Sequence, residues 1–131
     1  MGTAYKGNTK YYRSIGQNVM IVANKYHYEN GRFGVNSKST GNQTRNIFSE
    51  DPLSTAKDFY DKLALGGIEK SIHKNGVEIH FTKMADGTIV TMRKTSTSDG
   101  SPVVEINISG SNHTGGIQKQ KIHFVQGDFN D

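Results

Sequence analysis

The chain has no cysteine and no tryptophan, and only two prolines in 131 residues. Without cysteine there is no disulfide and no thiolate chemistry, and a zinc site would have to be built from histidines and carboxylates alone. The longest apolar run, Val19-Met20-Ile21-Val22-Ala23, is five residues, far short of the roughly 18 that a membrane-crossing helix needs. No signal-peptide core stands at the N-terminus, so export is expected to depend on sequence outside this chain. Internal repeats, low-complexity tracts and glycine-rich phosphate loops are also missing, which argues against an adhesive array or a nucleotide-triphosphate enzyme. What remains suits one small, turn-rich domain with a thin core, since only 33% of the residues are hydrophobic while 15 are glycine.

Charge is present but uneven. Residues 1–46 carry seven Lys/Arg against the single acid Glu29, giving +6, whereas residues 47–131 carry nine against eleven, giving −2. The sequence therefore divides into a basic N-terminal segment (1–46), part of the domain or a leader to it, and a core over 47–127. A basic arm on a near-neutral body points to a polyanionic partner.

Gln17–Tyr28 reads either as a short helix or as a strand entering the turn Glu29-Asn30-Gly31, and residues 36–46 read as a loop. A helix is predicted over Pro52–Leu65. Asp51 can cap its free N–H groups, Pro52 occupies the first helical position, and Gly66-Gly67 supplies a left-handed stop. Beyond it the pattern alternates, predicting strands at Val77–Met84, Thr88–Thr97, Pro102–Ser109 and Lys119–Gln126, with Asp86-Gly87 as a tight turn. The expected fold is α+β, an N-terminal helical part packed on a four-stranded antiparallel β-meander.

Side chains alternate across a strand, so each predicted strand divides into two sets. Taking Val77, Ile79, Phe81, Val90, Met92, Val104, Ile106, Ile108, Ile122 and Phe124 as inward leaves a polar outer surface. It comprises His80, Thr82, Thr91, Arg93, Thr95, Glu105, Asn107, Lys121 and His123, with Lys94 exchanging places with Arg93 if the strand bulges. Two imidazoles, a carboxylate, fixed cations and hydroxyls suit metal-independent RNA cleavage, which needs a base for the 2′-hydroxyl, an acid for the leaving oxygen and cations for the phosphorane. His123 and Glu105 are the expected proton-transfer pair, with His80 as second imidazole. Arg93 and Lys121 are expected on the phosphate, Thr95 and Thr91 as hydrogen-bond donors, and Asn107, Thr82 and Lys94 as substrate contacts. No metal or other cofactor is expected for this chemistry.

The segments DPLSTAKDFYDKLALGG, MADGTIVTMRKTSTSDGSPVVEINI and GGIQKQKIHFV resemble the C-terminal toxin domains of bacterial polymorphic toxins of the LXG and contact-dependent inhibition types. The element order is also similar to the barnase/EndoU/colicin/RelE ribonuclease fold. The resemblance covers about residues 50–127 and implies a nuclease secreted as part of a larger effector. Such a domain acts in a target-cell cytoplasm on nucleic acid, with both ribonucleases and deoxyribonucleases among similar toxins, and is blocked in the producer by a cognate immunity protein; the residue inventory above favours RNA.

Two rival readings stand beside it. A metal-dependent DNase would gather carboxylates on a divalent ion, with Asp99, Glu105 and Asn107, or His80, His123 and Glu105, as its candidates. A non-catalytic nucleic-acid or partner-binding module would expose stacking aromatics on the sheet. The outward sets contain none, and the tyrosines Tyr5, Tyr11, Tyr12, Tyr26 and Tyr28 lie upstream.

Overall fold

A computed structural model describes residues 3–4, 12–37, 43–96, 100–108 and 114–127. Asp99, His113, Tyr5 and Tyr11 lie outside them.

Helix α1 spans Ile15–Ala23 and opens where Gln17 Oε1 accepts a 2.8 Å hydrogen bond from the Ser14 N–H. It is followed by a hairpin of β2 (Tyr28–Glu29) and β3 (Arg32–Phe33). Asn30 and Gly31 turn it with φ of 53° and 81°, the left-handed pair that a two-residue hairpin requires. The helix reading of Gln17–Tyr28 thus holds as far as Ala23, and of that stretch only Tyr28 is strand, entering the turn at Asn30-Gly31. Next come β4 (Val35–Asn36) and β5 (Thr44–Ser49); Thr44, Arg45 and Asn46 are strand where a loop is expected from their polarity.

Helix α2 covers Pro52–Leu63, two residues shorter than predicted. Asp51 Oδ1 accepts from the Ser54 N–H at 3.3 Å, and Gly66 sits at φ 81° after the last turn. Its C-terminal carbonyls are satisfied by a buried side chain of the other helix: the Asn18 amide donates to Leu63 O at 2.8 Å and to Leu65 O at 2.9 Å.

Five further strands follow: β6 (Ile68–Lys74), β7 (Val77–Lys83), β8 (Ile89–Arg93), β9 (Val103–Asn107) and β10 (Gln120–Gln126). The sheet runs β6-β7-β8-β9-β10-β5-β4, and the two-residue β1 (Thr3–Ala4) pairs along the outer edge of β6. Neighbours are antiparallel except β10 and β5, which are parallel. With 42% strand and 20% helix among the described residues, the fold is mostly β. The expected α+β fold on a four-stranded antiparallel meander is therefore incorrect: β7 to β10 form only the middle of a larger, mixed sheet. The strand β6 was signalled by Asn75-Gly76, whose φ values of 54° and 78° make another hairpin turn.

Both helices lie on one face. Helix α2 contacts β8, β9, β10 and β5, and its Phe59 is the hub of the core. Its ring meets Tyr26 at 5.4 Å, Phe33 at 5.0 Å and Phe124 at 5.4 Å, all edge-on. Ile15, Val19 and Val22 of α1 join the same core. Two buried polar side chains fasten the β2–β3 hairpin to the sheet. Gln120 donates to Gly31 O and accepts from the Phe33 N–H, at 2.9 and 2.8 Å, while Arg45 donates to Phe33 O and Gly34 O at 3.0 and 2.9 Å.

Truncating Phe59 to Ala leaves a cavity at this hub and is expected to cost about 3–5 kcal/mol, read as a lower urea midpoint with unchanged slope.

A second expectation concerns Asp58. Burial opposes ionisation of its carboxyl, but hydrogen bonds from Lys62, Tyr26 and Lys25 outweigh burial and hold it well below its usual value of 3.8. The folded form therefore gains stability at pH above about 3.8, and loses it as pH falls toward the depressed value. Asp58→Asn removes that dependence. Urea midpoints between pH 5 and pH 2 should fall less steeply in the variant than in the parent.

Candidate active site on the open sheet face

Directly paired residues share a face of a sheet, so the register places every candidate. Thr91 opposes Glu105, and Glu105 opposes Lys121, which in turn opposes Thr44. One row further, Arg93 opposes Val103, Val103 opposes His123, and His123 opposes Asn46. Asn107 opposes Ile89 on the same side. Thr91, Arg93, Glu105, Asn107, Lys121 and His123 are thus brought together on the face away from the helices. Directly opposed Cβ atoms lie about 4.5–5.5 Å apart and diagonal ones about 7–8 Å, so His123 and Glu105 are diagonal neighbours with Lys121 beside both.

His80 and Thr82 do not belong to this surface. Thr82 pairs with Val90 and His80 with Met92, and both partners are core residues under α2. Strand β7 is therefore turned over relative to the sequence reading: His80, Thr82 and Glu78 face the helix side, while Val77, Ile79 and Phe81 face the open side. The reason is position. Helix α2 packs mainly over β8, β9, β10 and β5 and meets the rim at β6 and β7 through Tyr60, which bonds Glu69 and the buried Thr82. Glu78 and His80 of the rim's polar set stay half-exposed on the helix side. Its apolar set instead packs with Ile68, Ile72 and Ile89 on the other. Thr95 lies beyond the end of β8 and is exposed, and Lys94, also exposed, lines a cleft on the helix side.

That cleft, about 240 Å³, lies between α2 and the rim and includes residues the sequence reading passed over. His80 Nδ1 is 2.9 Å from Ser71 Oγ and 3.7 Å from Glu69 Oε2, and its Nε2 is 3.6 Å from Glu78 Oε1. Tyr60 donates to Glu69 Oε2 at 3.3 Å and shares a short hydrogen bond with Thr82 Oγ1. Burial and the adjacent Glu69 carboxylate raise the Tyr60 hydroxyl pKa, so it stays a donor. Glu69 could have been found from the Asn75-Gly76 hairpin, which fixes its pairing with Thr82.

His123 is held differently. Its Nδ1 lies 2.9 Å from Ser101 Oγ, and the residue is 6% exposed, so only a group pressed against the sheet can meet the ring. Arg93 is half-buried, and its Nε finds no hydrogen-bond acceptor among the described residues. A buried orphan donor of this kind costs about 1–3 kcal/mol, and an anion seated on this face would offset it.

Compared with protein-family models, curated proteins and solved structures, the chain matches none.

Electrostatics separates the two candidate surfaces. Among the described strand residues the open face presents Lys70, Lys74, Lys83, Arg93 and Lys121 against one carboxylate, Glu105. The helix-side cleft presents Lys57 and Lys94 against Asp61, Glu69 and Glu78. A polyanion is drawn to the first and repelled by the second. Among the described residues no group of three His, Asp or Glu side chains could hold a metal ion. The triple of His80, His123 and Glu105 in particular cannot converge, because His80 is on the other face. No helix of the described residues is long and apolar enough to cross a membrane.

Ser101→Ala removes the partner of His123 Nδ1. It should shift the imidazole nitrogen resonances of His123 in long-range 1H–15N spectra and leave those of His80 in place, at a stability cost of about 1 kcal/mol.

Proposed function

We propose that the protein is a metal-independent endoribonuclease working on the open sheet face, and that it serves as the toxin domain of a larger secreted effector. The observation that carries the reading is the register that gathers Glu105, Lys121, His123 and Arg93 on one basic, helix-free face. RNA supplies its own nucleophile, so the protein needs only proton transfer and charge stabilisation. Glu105 takes the 2′-hydroxyl proton, and the 2′-oxygen attacks the adjacent phosphorus. His123 gives a proton to the departing 5′-oxygen, leaving a 2′,3′-cyclic phosphate and a 5′-hydroxyl. Lys121, opposite Glu105, and Arg93, one row away, hold the equatorial oxygens as charge builds. Thr91 and Asn107 border the same phosphate position. The near-burial of His123 keeps bulk water from the ring, which strengthens these electrostatic contacts.

The toxin reading rests on the sequence resemblance. It carries with it an immunity protein as partner and the target-cell cytoplasm as the place of action.

Purified protein is expected to cut total bacterial RNA in EDTA. His123→Ala and Glu105→Gln should each lower kcat/KM by about 10²–10⁴, and Lys121→Gln by about 10²–10³. His80→Gln, on the other face, should stay within a few-fold of the parent. Loss of activity in His80→Gln with retention in His123→Ala would move the chemistry to the helix-side cleft. Cleavage of plasmid DNA only on addition of Mg²⁺ would replace the ribonuclease reading with a metal-dependent DNase.

A further inference from the structure

The overturned strand β7 changes what the open face can bind. With β7 in its observed register, Phe81 opposes Thr91 and stands in the same cross-strand row as Glu105 and Lys121. Phe81 is half-buried, on the floor of a shallow groove of about 510 Å³ lined also by Ile68, Ile72 and Ile89, with Lys70 and Lys83 on its sides. In register Lys70 lies directly opposite Phe81, and Lys83 is the next residue on the same face of β7. Strands are spaced about 4.7–4.9 Å apart, so Phe81 is two strands, about 10 Å, from Glu105. That is close enough for the base of a nucleotide neighbouring the one cut.

We propose that Phe81, between Lys70 and Lys83, is a base-stacking subsite for single-stranded RNA, feeding the strand toward Glu105, Lys121 and His123; this rests on the ribonuclease reading of the same face. An aromatic ring beside cations matches the two parts of a nucleotide. The π-face takes a base in a sequence-tolerant way, and the ammonium groups take the flanking phosphates. A duplex cannot use it, because its base faces are already stacked on one another. The recessed position of Phe81 also suits a flat ring laid into the groove better than insertion into a lipid surface, which calls for protruding apolar side chains. The charge of the face agrees, since every fixed charge on its β6, β7 and β8 part, Lys70, Lys74, Lys83 and Arg93, is positive.

The test separates binding from cutting. A fluorescein-labelled 12-nucleotide 2′-O-methyl RNA lacks the attacking hydroxyl, so its anisotropy reports affinity alone. The single strand should bind more tightly than its duplex, and Phe81→Leu, which keeps the apolar floor, should weaken binding about fivefold or more. The double variant Lys70→Gln/Lys83→Gln, exposed and away from the core, should flatten the slope of log K against log salt by about 1.4. Thermal melts confirm that each variant is folded. A folded Phe81→Leu with parental affinity, an unchanged salt slope in the lysine variant, or capture by anionic phosphatidylserine vesicles in place of the oligonucleotide would each overturn the subsite. Phe81-dependent binding with natural RNA left uncut supports the subsite and removes the ribonuclease reading. Cleavage with Phe81-independent binding does the reverse.

Discussion

Strand β10 is held between two partners of opposite sense, β9 antiparallel and β5 parallel, and the rest of the structure depends on that double pairing. Through it Ile122 and Phe124 are fixed under α2, so Lys121 and His123 have no choice but the other face. The same pairing gives Arg45 and Gln120 their buried positions, from which they tie down the β2–β3 hairpin. Period-two alternation then carries the constraint sideways, strand by strand, to Glu105, Thr91 and Phe81. One register thus sets the core and the composition of the open face together.

The two faces differ in how they meet water. On the helix side the centre of the sheet is dry and aromatic apart from the buried Arg45 and Gln120 beneath the β2–β3 hairpin, and the rim, where Glu69, Glu78 and His80 gather, is polar. On the open side the rim sets apolar residues beside Lys70, Lys74 and Lys83, and Arg93, Glu105, Lys121 and His123 lie nearer the centre. This exchange follows from the footprint of α2, which packs mainly over β8, β9, β10 and β5 and meets the β6–β7 rim through Tyr60. It also separates charge, placing cations on the open face and carboxylates beside the helix.

Legibility in the sequence followed the range of each interaction. Helix α2 could be read because Asp51, Pro52 and Gly66 act within a few residues of themselves. The middle strands could be read because Asp86-Gly87 and the alternation at Val90, Met92, Val104, Ile106, Ile122 and Phe124 are local. Those strands lie under α2, so the rule that apolar residues point inward held for them, and the open-face positions of Thr91, Arg93, Glu105, Asn107, Lys121 and His123 were legible too. At β7 the same rule failed, because nothing in Val77-Glu78-Ile79-His80-Phe81-Thr82 says that the helix packs mainly over the strands beyond it. Strand β5 was hidden for another reason. Thr44-Arg45-Asn46 is polar, and its partner β10 lies more than 70 residues away, as the Gln126 to Glu50 hydrogen bond across 76 positions illustrates.

The parallel junction also bears on how the molecule comes into being. Strand β5 precedes β10, the neighbour that joins it to the main sheet, by more than 70 residues, and closing such a long loop must precede any return from its contacts. A ribosome-bound chain can make α2 and the β6–β7 and β7–β8 hairpins, but its central seam stays open until residues 120–126 are free. Lys121 and His123 are part of that seam. A nascent polypeptide therefore lacks both pairings of this seam until β10 has emerged, and a truncation upstream of β10 removes the core residues Ile122 and Phe124 together with Lys121 and His123.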